Sequence, residues 1–232
     1  MKIAICEDEA VISEQIKEIT GSYFKNLDMD FSVSVFDSGK SFERSGESFD
    51  LLFLDYKLSD INGIELAHNI RKNDKNIVII FVTAYSEHVF ESFEVGAFRY
   101  ILKPIEEDEI KKALYSFLAF YENDLTLCVP TKLKKIYVPL NEVIYIESDA
   151  KYSVVRTIDA AYDSIKSLLD FQNVINSQFF IRTHKRYLLN LKYISEIDKN
   201  IITLTNGEKV VISRRNLKAF NAAYTNYLKY SV

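Results

Sequence analysis

Cysteine is nearly absent from this chain. Cys6 and Cys128 are the only two in 232 residues. They share no metal-ligand spacing and build no disulfide framework, which fits a reducing compartment and two small apolar side chains. Long apolar runs are also missing, and none reaches the roughly 18 residues of a membrane-spanning helix. Acids arrive as early as Glu7 and Asp8, too soon for a secretory signal. The expectation is a cytoplasmic protein with no membrane partner. Gly/Ser-rich tracts, low-complexity segments and internal repeats do not occur. The composition is 48% hydrophobic and 27% charged, which excludes a largely disordered chain.

The length is comfortable for two domains. Charge divides the same way. Residues 1–121 carry 13 Lys/Arg against 22 Asp/Glu, a balance of −9. Residues 122–232 carry 16 against 11, a balance of +5. An acidic half joined to a basic half suggests two jobs, with a polyanion as a candidate partner of the second.

The first half alternates strand and helix patterns. Strands are expected at Lys2–Cys6, Phe31–Phe36, Leu51–Leu54, Ile77–Val82 and Arg99–Leu102. Helices are expected at Ala10–Phe24, Lys40–Ser45, Gly63–Lys72, Glu87–Val95 and Glu107–Tyr121. Such alternation implies an α/β doubly wound parallel sheet of five strands in a flavodoxin-like order. The run Tyr115, Phe117, Leu118, Phe120 and Tyr121 can pack on its own sheet or form a subunit contact. His68 and His88 read as surface residues of helices. The expected domains are 1–121, a short linker at 122–127, and 128–232.

The second half is mostly β. Strands are expected at Thr126–Val129, Lys135–Pro139, Val143–Glu147, Ser153–Thr157, Phe179–Thr183, Tyr193–Asp198, Ile201–Thr205 and Lys209–Ser213. Asp198-Lys199-Asn200 and Thr205-Asn206-Gly207 read as hairpin turns. Helices are expected at Ser167–Asn176 and Arg215–Tyr230.

Chemistry gathers where the first-half strands end. Ile3–Cys6 runs into Glu7-Asp8, Leu51–Leu54 into Asp55, Ile77–Val82 into Thr83, and Tyr100–Leu102 into Lys103-Pro104. Ligands of helix-covered parallel sheets sit at the carboxyl ends of the strands. Three carboxylates, a hydroxyl and an ammonium on one edge suit a divalent cation and a phosphoryl group. These positions, with Asn62-Gly63 after the acid and small Ala84 after Thr83, resemble the receiver domain of two-component response regulators. Where receivers commonly carry Pro, this chain has Ser59. The resemblance implies that Asp55 accepts a phosphoryl group from a partner histidine kinase. It implies Mg²⁺ held by Glu7, Asp8, Asp55 and the backbone carbonyl of Lys57. Thr83 and Lys103 would stabilise the phosphoryl group, and Tyr100 would be the aromatic switch.

Three basic or polar clusters follow strand-like runs in the second half. They are Tyr145-Ile146-Glu147-Ser148 through Tyr152, Phe180-Ile181-Arg182-Thr183-His184-Lys185-Arg186-Tyr187-Leu188-Leu189-Asn190, and Ile212-Ser213-Arg214-Arg215. They resemble the LytTR family of DNA-binding domains, which insert loops into successive major grooves. Carried over, the DNA contacts are Lys151 and Tyr152, His184 and Lys185, and Arg214 and Arg215. Arg182 and Arg186 read as structural or phosphate-side residues. The whole resembles a transcriptional response regulator acting on promoter DNA, as a homodimer on repeated sites. The alternative is a receiver-controlled protein-interaction module that does not bind DNA. An enzymatic output is not expected, because the second half lacks a nucleophile elbow, metal-spaced His/Cys and paired catalytic acids.

Overall fold

Uninterrupted apolar runs place the centre of the first sheet. In the computed structural model, which describes residues 1–85 and 89–231, five strands pair in parallel. They are β1 (Lys2–Cys6), β2 (Ser32–Phe36), β3 (Leu51–Leu54), β4 (Val78–Thr83) and β5 (Arg99–Leu102), in the order β2-β1-β3-β4-β5. Every residue of β3 and β4 is buried, as expected of strands covered on both faces. The edge strands β2 and β5 are only partly buried. The connecting helices are α1 (Ala10–Asn26), α2 (Gly39–Ser45), α3 (Gly63–Asn73), α4 (Val89–Glu94) and α5 (Glu107–Asn123).

The expected strands are therefore present, with β4 carried one residue further so that Thr83 is its last position. Glu87 and His88 lie outside the described residues, whereas His68 is exposed on α3. Ser38 and Asn62 cap α2 and α3 through side-chain oxygens that accept from Ser41 N and Ile64 N. Ala4, Cys6, Leu52, Leu54, Leu66, Ile79 and Phe81 share one core cluster. Burial, with nearby carboxylates, pushes the Cys6 thiol up to about 12, consistent with an inert core residue.

The chain divides into two units, Met1–Phe117 and Leu118–Val232. On α5, Tyr115, Phe117 and Leu118 are buried, while Phe120 and Tyr121 are partly exposed.

The second unit is β-rich. Its strands are β6 (Thr126–Pro130), β7 (Lys135–Pro139), β8 (Val143–Asp149), β9 (Tyr152–Thr157), β10 (Ala161–Ser164), β11 (Phe180–His184), β12 (Tyr187–Asn190), β13 (Ile194–Asp198), β14 (Ile201–Leu204) and β15 (Lys209–Val211). Its helices are α6 (Leu168–Val174) and α7 (Leu217–Tyr230). An antiparallel sheet runs β10-β9-β8-β12-β11, beside a β13-β14-β15 sheet and a β6-β7 hairpin. Both expected tight turns are present, with Lys199 and Gly207 at positive φ. Two strands were not expected from sequence, β10 and β12. The latter has Leu188 in one core, with Val143, Ile146, Val155 and Phe171, and Leu189 in another, with Tyr145, Ile202, Val210 and Phe220. A strand buried on both faces carries no polar alternation to announce it.

Glu122, near the end of α5, is 3% exposed and accepts a hydrogen bond from Ser177 Oγ at 2.7 Å. Burial raises its pKa to about 7 from 4.5, against the opposing pull of Ser177 and Lys192. A raised carboxyl pKa contributes stability fully below the unfolded value and loses it as pH rises through the folded one. The second unit is therefore expected to lose on the order of 2–3 kcal/mol between pH 4.5 and pH 8 from this group. E122Q removes that slope. Thermal unfolding should show the E122Q variant gaining on the wild type as pH rises from 5 to 8.

Candidate functional site

Sheet register brings the first cluster together. Cys6 pairs with Leu54, Leu54 with Phe81, and Thr83 with Leu102, so Glu7, Asp55, Thr83 and Lys103 emerge at one edge. Backbone bonds hold the edge: Asp55 N donates to Cys6 O (3.0 Å) and Lys103 N to Thr83 O (2.8 Å). Glu7, Asp55 and Thr83 are buried, and Asp8 is exposed.

The Lys103 ammonium binds three carboxylates at once. It lies 2.8 Å from Asp55 Oδ2, 2.9 Å from Glu7 and 3.1 Å from Glu9. Burial alone pulls the Lys103 pKa down, but hydrogen bonds to Asp55 and Glu7 overcome this and hold it above the usual lysine value. Burial pushes Glu7 up to about 7, opposed by its bond to Lys103 and reinforced by Asp55. Four carboxylates, Glu7, Asp8, Glu9 and Asp55, thus face one ammonium. Ligand oxygens of Glu7, Asp8 and Asp55 lie within 4.8 Å of one another. Hard oxygen donors that close, with surplus negative charge, fit a small divalent cation.

The loop after Asp55 is shaped around it. Lys57 N donates to Asp55 Oδ1 at 3.2 Å, and Gly63 N donates to Tyr56 O at 2.6 Å. A Cβ at Gly63 would stand 2.2 Å from Asp55 O, so only glycine fits against that backbone. G63A is expected to cost about 1–3 kcal/mol in urea unfolding of the first unit, because the displaced atom is Asp55's own carbonyl.

Thr83 Oγ1 accepts from Tyr85 N at 3.4 Å. Tyr100 stacks on Phe81 and donates its hydroxyl to Tyr85 O. Thr83 and Tyr100 are therefore linked through one short segment. The pairing of Lys103 with Glu9 was not foreseen, since Glu9 is one acid among three in a row.

In the second unit, antiparallel pairing draws three loops to one rim of the five-stranded sheet. Asp149 pairs with Tyr152, which places Lys151 in the β8–β9 turn. Ser148 N donates to Arg186 O at 2.7 Å, which sets the β11–β12 turn with His184 and Lys185 alongside. Ser213 N donates to Thr183 O at 2.9 Å, which brings Arg214 and Arg215 to the same end. Lys151, Tyr152, Lys185, Arg214 and Arg215 are exposed and His184 is half-buried. Lys151 Nζ lies 6.0 Å from the Tyr152 ring centre.

Arg182 and Arg186 build the rim. Arg182 donates from Nε to His184 O (2.7 Å), and from its terminal nitrogens to Lys185 O (2.5 Å) and Gln172 Oε1 (2.9 Å). Arg186 pairs with Glu147 at 2.6 Å, and Tyr187 OH donates to the same carboxylate. His184 Nδ1 accepts from Arg186 N at 3.3 Å, so the neutral ring carries its proton on Nε2. No ion pair joins Lys151, Lys185, Arg214 or Arg215 to an acid among the described residues. No described helix is long and apolar enough to cross a membrane.

Comparison with known proteins divides the chain in the same way. A model of the response regulator receiver domain matches residues 3–115, and a model of the LytTr DNA-binding domain matches residues 134–225. The transcriptional regulatory protein LytR of Staphylococcus aureus (strain N315) is 30% identical over 196 residues, covering 75% of this chain and 80% of the relative. Transcriptional regulatory protein YpdB of Escherichia coli (strain K12) is 28% identical over 242 residues, covering 95% of this chain and 98% of the relative. The response regulatory domain of mrkE from Klebsiella pneumoniae is a similar solved structure, 30% identical with TM-score 0.48, covering 53% of this chain and 98% of that one. A LytTr DNA-binding domain from Bacillus cereus is 24% identical with TM-score 0.39, covering 42% of this chain and 94% of that one.

Proposed function

The chain belongs to the two-component response regulators that join a receiver domain to a LytTR DNA-binding domain, and we propose that Asp55 is its phosphoacceptor and that the three-loop rim reads promoter DNA. It is a phosphorylation-dependent transcriptional regulator. The observation that carries the residue assignment is the meeting of Asp55, Glu7, Asp8, Thr83 and Lys103 at one sheet edge.

In the forward step an Asp55 oxygen attacks the phosphorus of a kinase phosphohistidine. The P–N bond breaks and the imidazole leaves with its electron pair. Glu7, Asp8, Asp55 and the Lys57 carbonyl would hold Mg²⁺, which supplies neutralisation of charge on the phosphoryl oxygens. Lys103 is already 2.8 Å from Asp55 Oδ2 and supplies a second positive charge at the same place. Thr83 gives up its contact with Tyr85 N to donate its hydroxyl to a phosphoryl oxygen. Tyr100, held to the Tyr85 carbonyl, moves when that segment moves, and so passes the change to the surface.

In the second unit Arg214 and Arg215 are suited to guanine O6 and N7, with Lys185 and Lys151 suited to phosphates or acceptor edges. Tyr152 and His184 complete the first two loops. Phosphorylation favours a homodimer that sets two such rims on repeated half-sites. Selection of bound sequences from random duplex DNA, with phosphodonor present, tests the reading. Recovery of a repeated site supports it. Recovery of no enriched sequence contradicts it and favours a protein-docking output.

A further inference from the structure

A fourth element reaches the same rim. The β6–β7 hairpin turns through Thr131-Lys132-Leu133-Lys134, closed by Thr131 N donating to Lys134 O at 2.8 Å. Pro130, at the base of that turn, accepts from Ile165 N (2.9 Å) and Ser164 Oγ (3.0 Å). Ser164 pairs with Ser153, next to Tyr152. The hairpin tip is thus anchored at the β10 end of the rim that carries Lys151, His184 and Arg214. Thr131, Lys132 and Leu133 share a groove with Asp149, Tyr152 and Ser153.

Lys132, Lys134 and Lys135 are all exposed, and Leu133 is 96% exposed. None of the three lysines has an ion-pair partner among the described residues. Three cations held on a short turn repel one another, and a polyanion relieves that repulsion. The distances suit a duplex. Neighbouring strands lie about 4.8 Å apart, so β10 to β11 spans about 19 Å. With the hairpin outside β10 and Ser213 outside β11, the rim reaches about 30 Å, near the roughly 34 Å of one B-DNA turn.

The geometry points to the hairpin tip as a phosphate clamp: Lys132 and Lys134 bind the DNA backbone one groove edge beyond the base-reading loops. This rests on the DNA-binding reading above and extends its footprint. Asp149 and Asp163 line the groove that Lys132 borders, so the DNA backbone crosses the tip at Lys132 and Lys134 and does not follow the groove inward. Contacts of this kind position the protein and carry no sequence preference.

The test uses the full chain on a random-sequence duplex of about three helical turns, with affinity followed by fluorescence anisotropy across a salt series. Each phosphate contact contributes about 0.9 to the log–log slope. K132A/K134A is expected to flatten the slope by about 2 while leaving the preference for a selected site over random duplex unchanged. K132R/K134R keeps the wild-type slope. An unchanged slope in the alanine pair overturns the clamp, as does an arginine pair as flat as the alanine pair. If the wild type itself shows no salt-dependent DNA retention, the DNA-binding reading fails, and the clamp with it.

Discussion

Replacing Asp55 with Asn or Ala is expected to reduce covalent phosphoryl incorporation from a small-molecule phosphodonor to background. In the proposed transfer the carboxylate is the nucleophile, and an amide or methyl group cannot form the acyl phosphate. Neighbouring acids do not substitute for it. Glu7 is buried and already bound to Lys103, and Asp8 and Glu9 are exposed beyond the strand end. The same variants should fold at least as stably as the wild type. Asp55 is one of three carboxylates sharing a single ammonium, with Asp8 close by, and deleting it relieves like-charge repulsion while leaving Glu7 and Glu9 on Lys103. Urea unfolding and mass spectrometry of the intact protein separate the two effects. Label retained by D55A would place the acceptor elsewhere in the acidic cluster.

Arg215→Ala is expected to weaken binding to a selected site by about 1–3 kcal/mol, roughly 5- to 150-fold, and binding to random duplex by far less. Arg214 and Arg215 follow Ser213, whose N–H is fixed to Thr183, and they precede α7 by one residue. Cations at a helix N-terminus oppose its dipole and stabilise nothing there. Both side chains are exposed, with no acidic partner among the described residues. Arg182 offers the contrast, with its guanidinium spent on the His184 and Lys185 carbonyls. Arg182→Ala should therefore act by loosening the β11–β12 turn, lowering stability and binding together. Equal losses on selected and random duplex for Arg215→Ala would reassign it to the backbone.

Much of the first unit is legible in the sequence. The runs at Leu51–Leu54 and Val78–Val82 are apolar throughout because both sheet faces are covered, and each is followed at the sheet edge by a chemical residue, Asp55 or Thr83. Asp55, Thr83 and Lys103 can thus be placed together from strand order and strand ends alone. The share of Lys103 taken by Glu9 could not, since neighbouring acids differ only in where their side chains turn. Gly63 was visible as half of an Asn-Gly pair, but the reason for it, Asp55 O at 2.2 Å from a would-be Cβ, is a tertiary fact.

The second unit was less readable, for two reasons. Its strand β10, Ala-Tyr-Asp-Ser, is a short and largely exposed edge strand, and edge strands tolerate weak β formers. Its strand β12 sits between two cores and merges with the basic cluster before it. Without these two strands the order β10-β9-β8-β12-β11 cannot be drawn. The hairpin lysines then have no visible relation to Lys151 or Arg214. Loops can be listed from sequence, but the rim that unites them is a property of strand order.

The most direct test of the account is the affinity of wild type and D55A for a selected duplex, each with and without phosphodonor and Mg²⁺, at fixed salt. Phosphodonor is expected to tighten binding by the wild type alone, and D55A to bind as the untreated wild type does. Equal affinity in all four samples would contradict the claim that a signal written at Asp55 is read out on DNA.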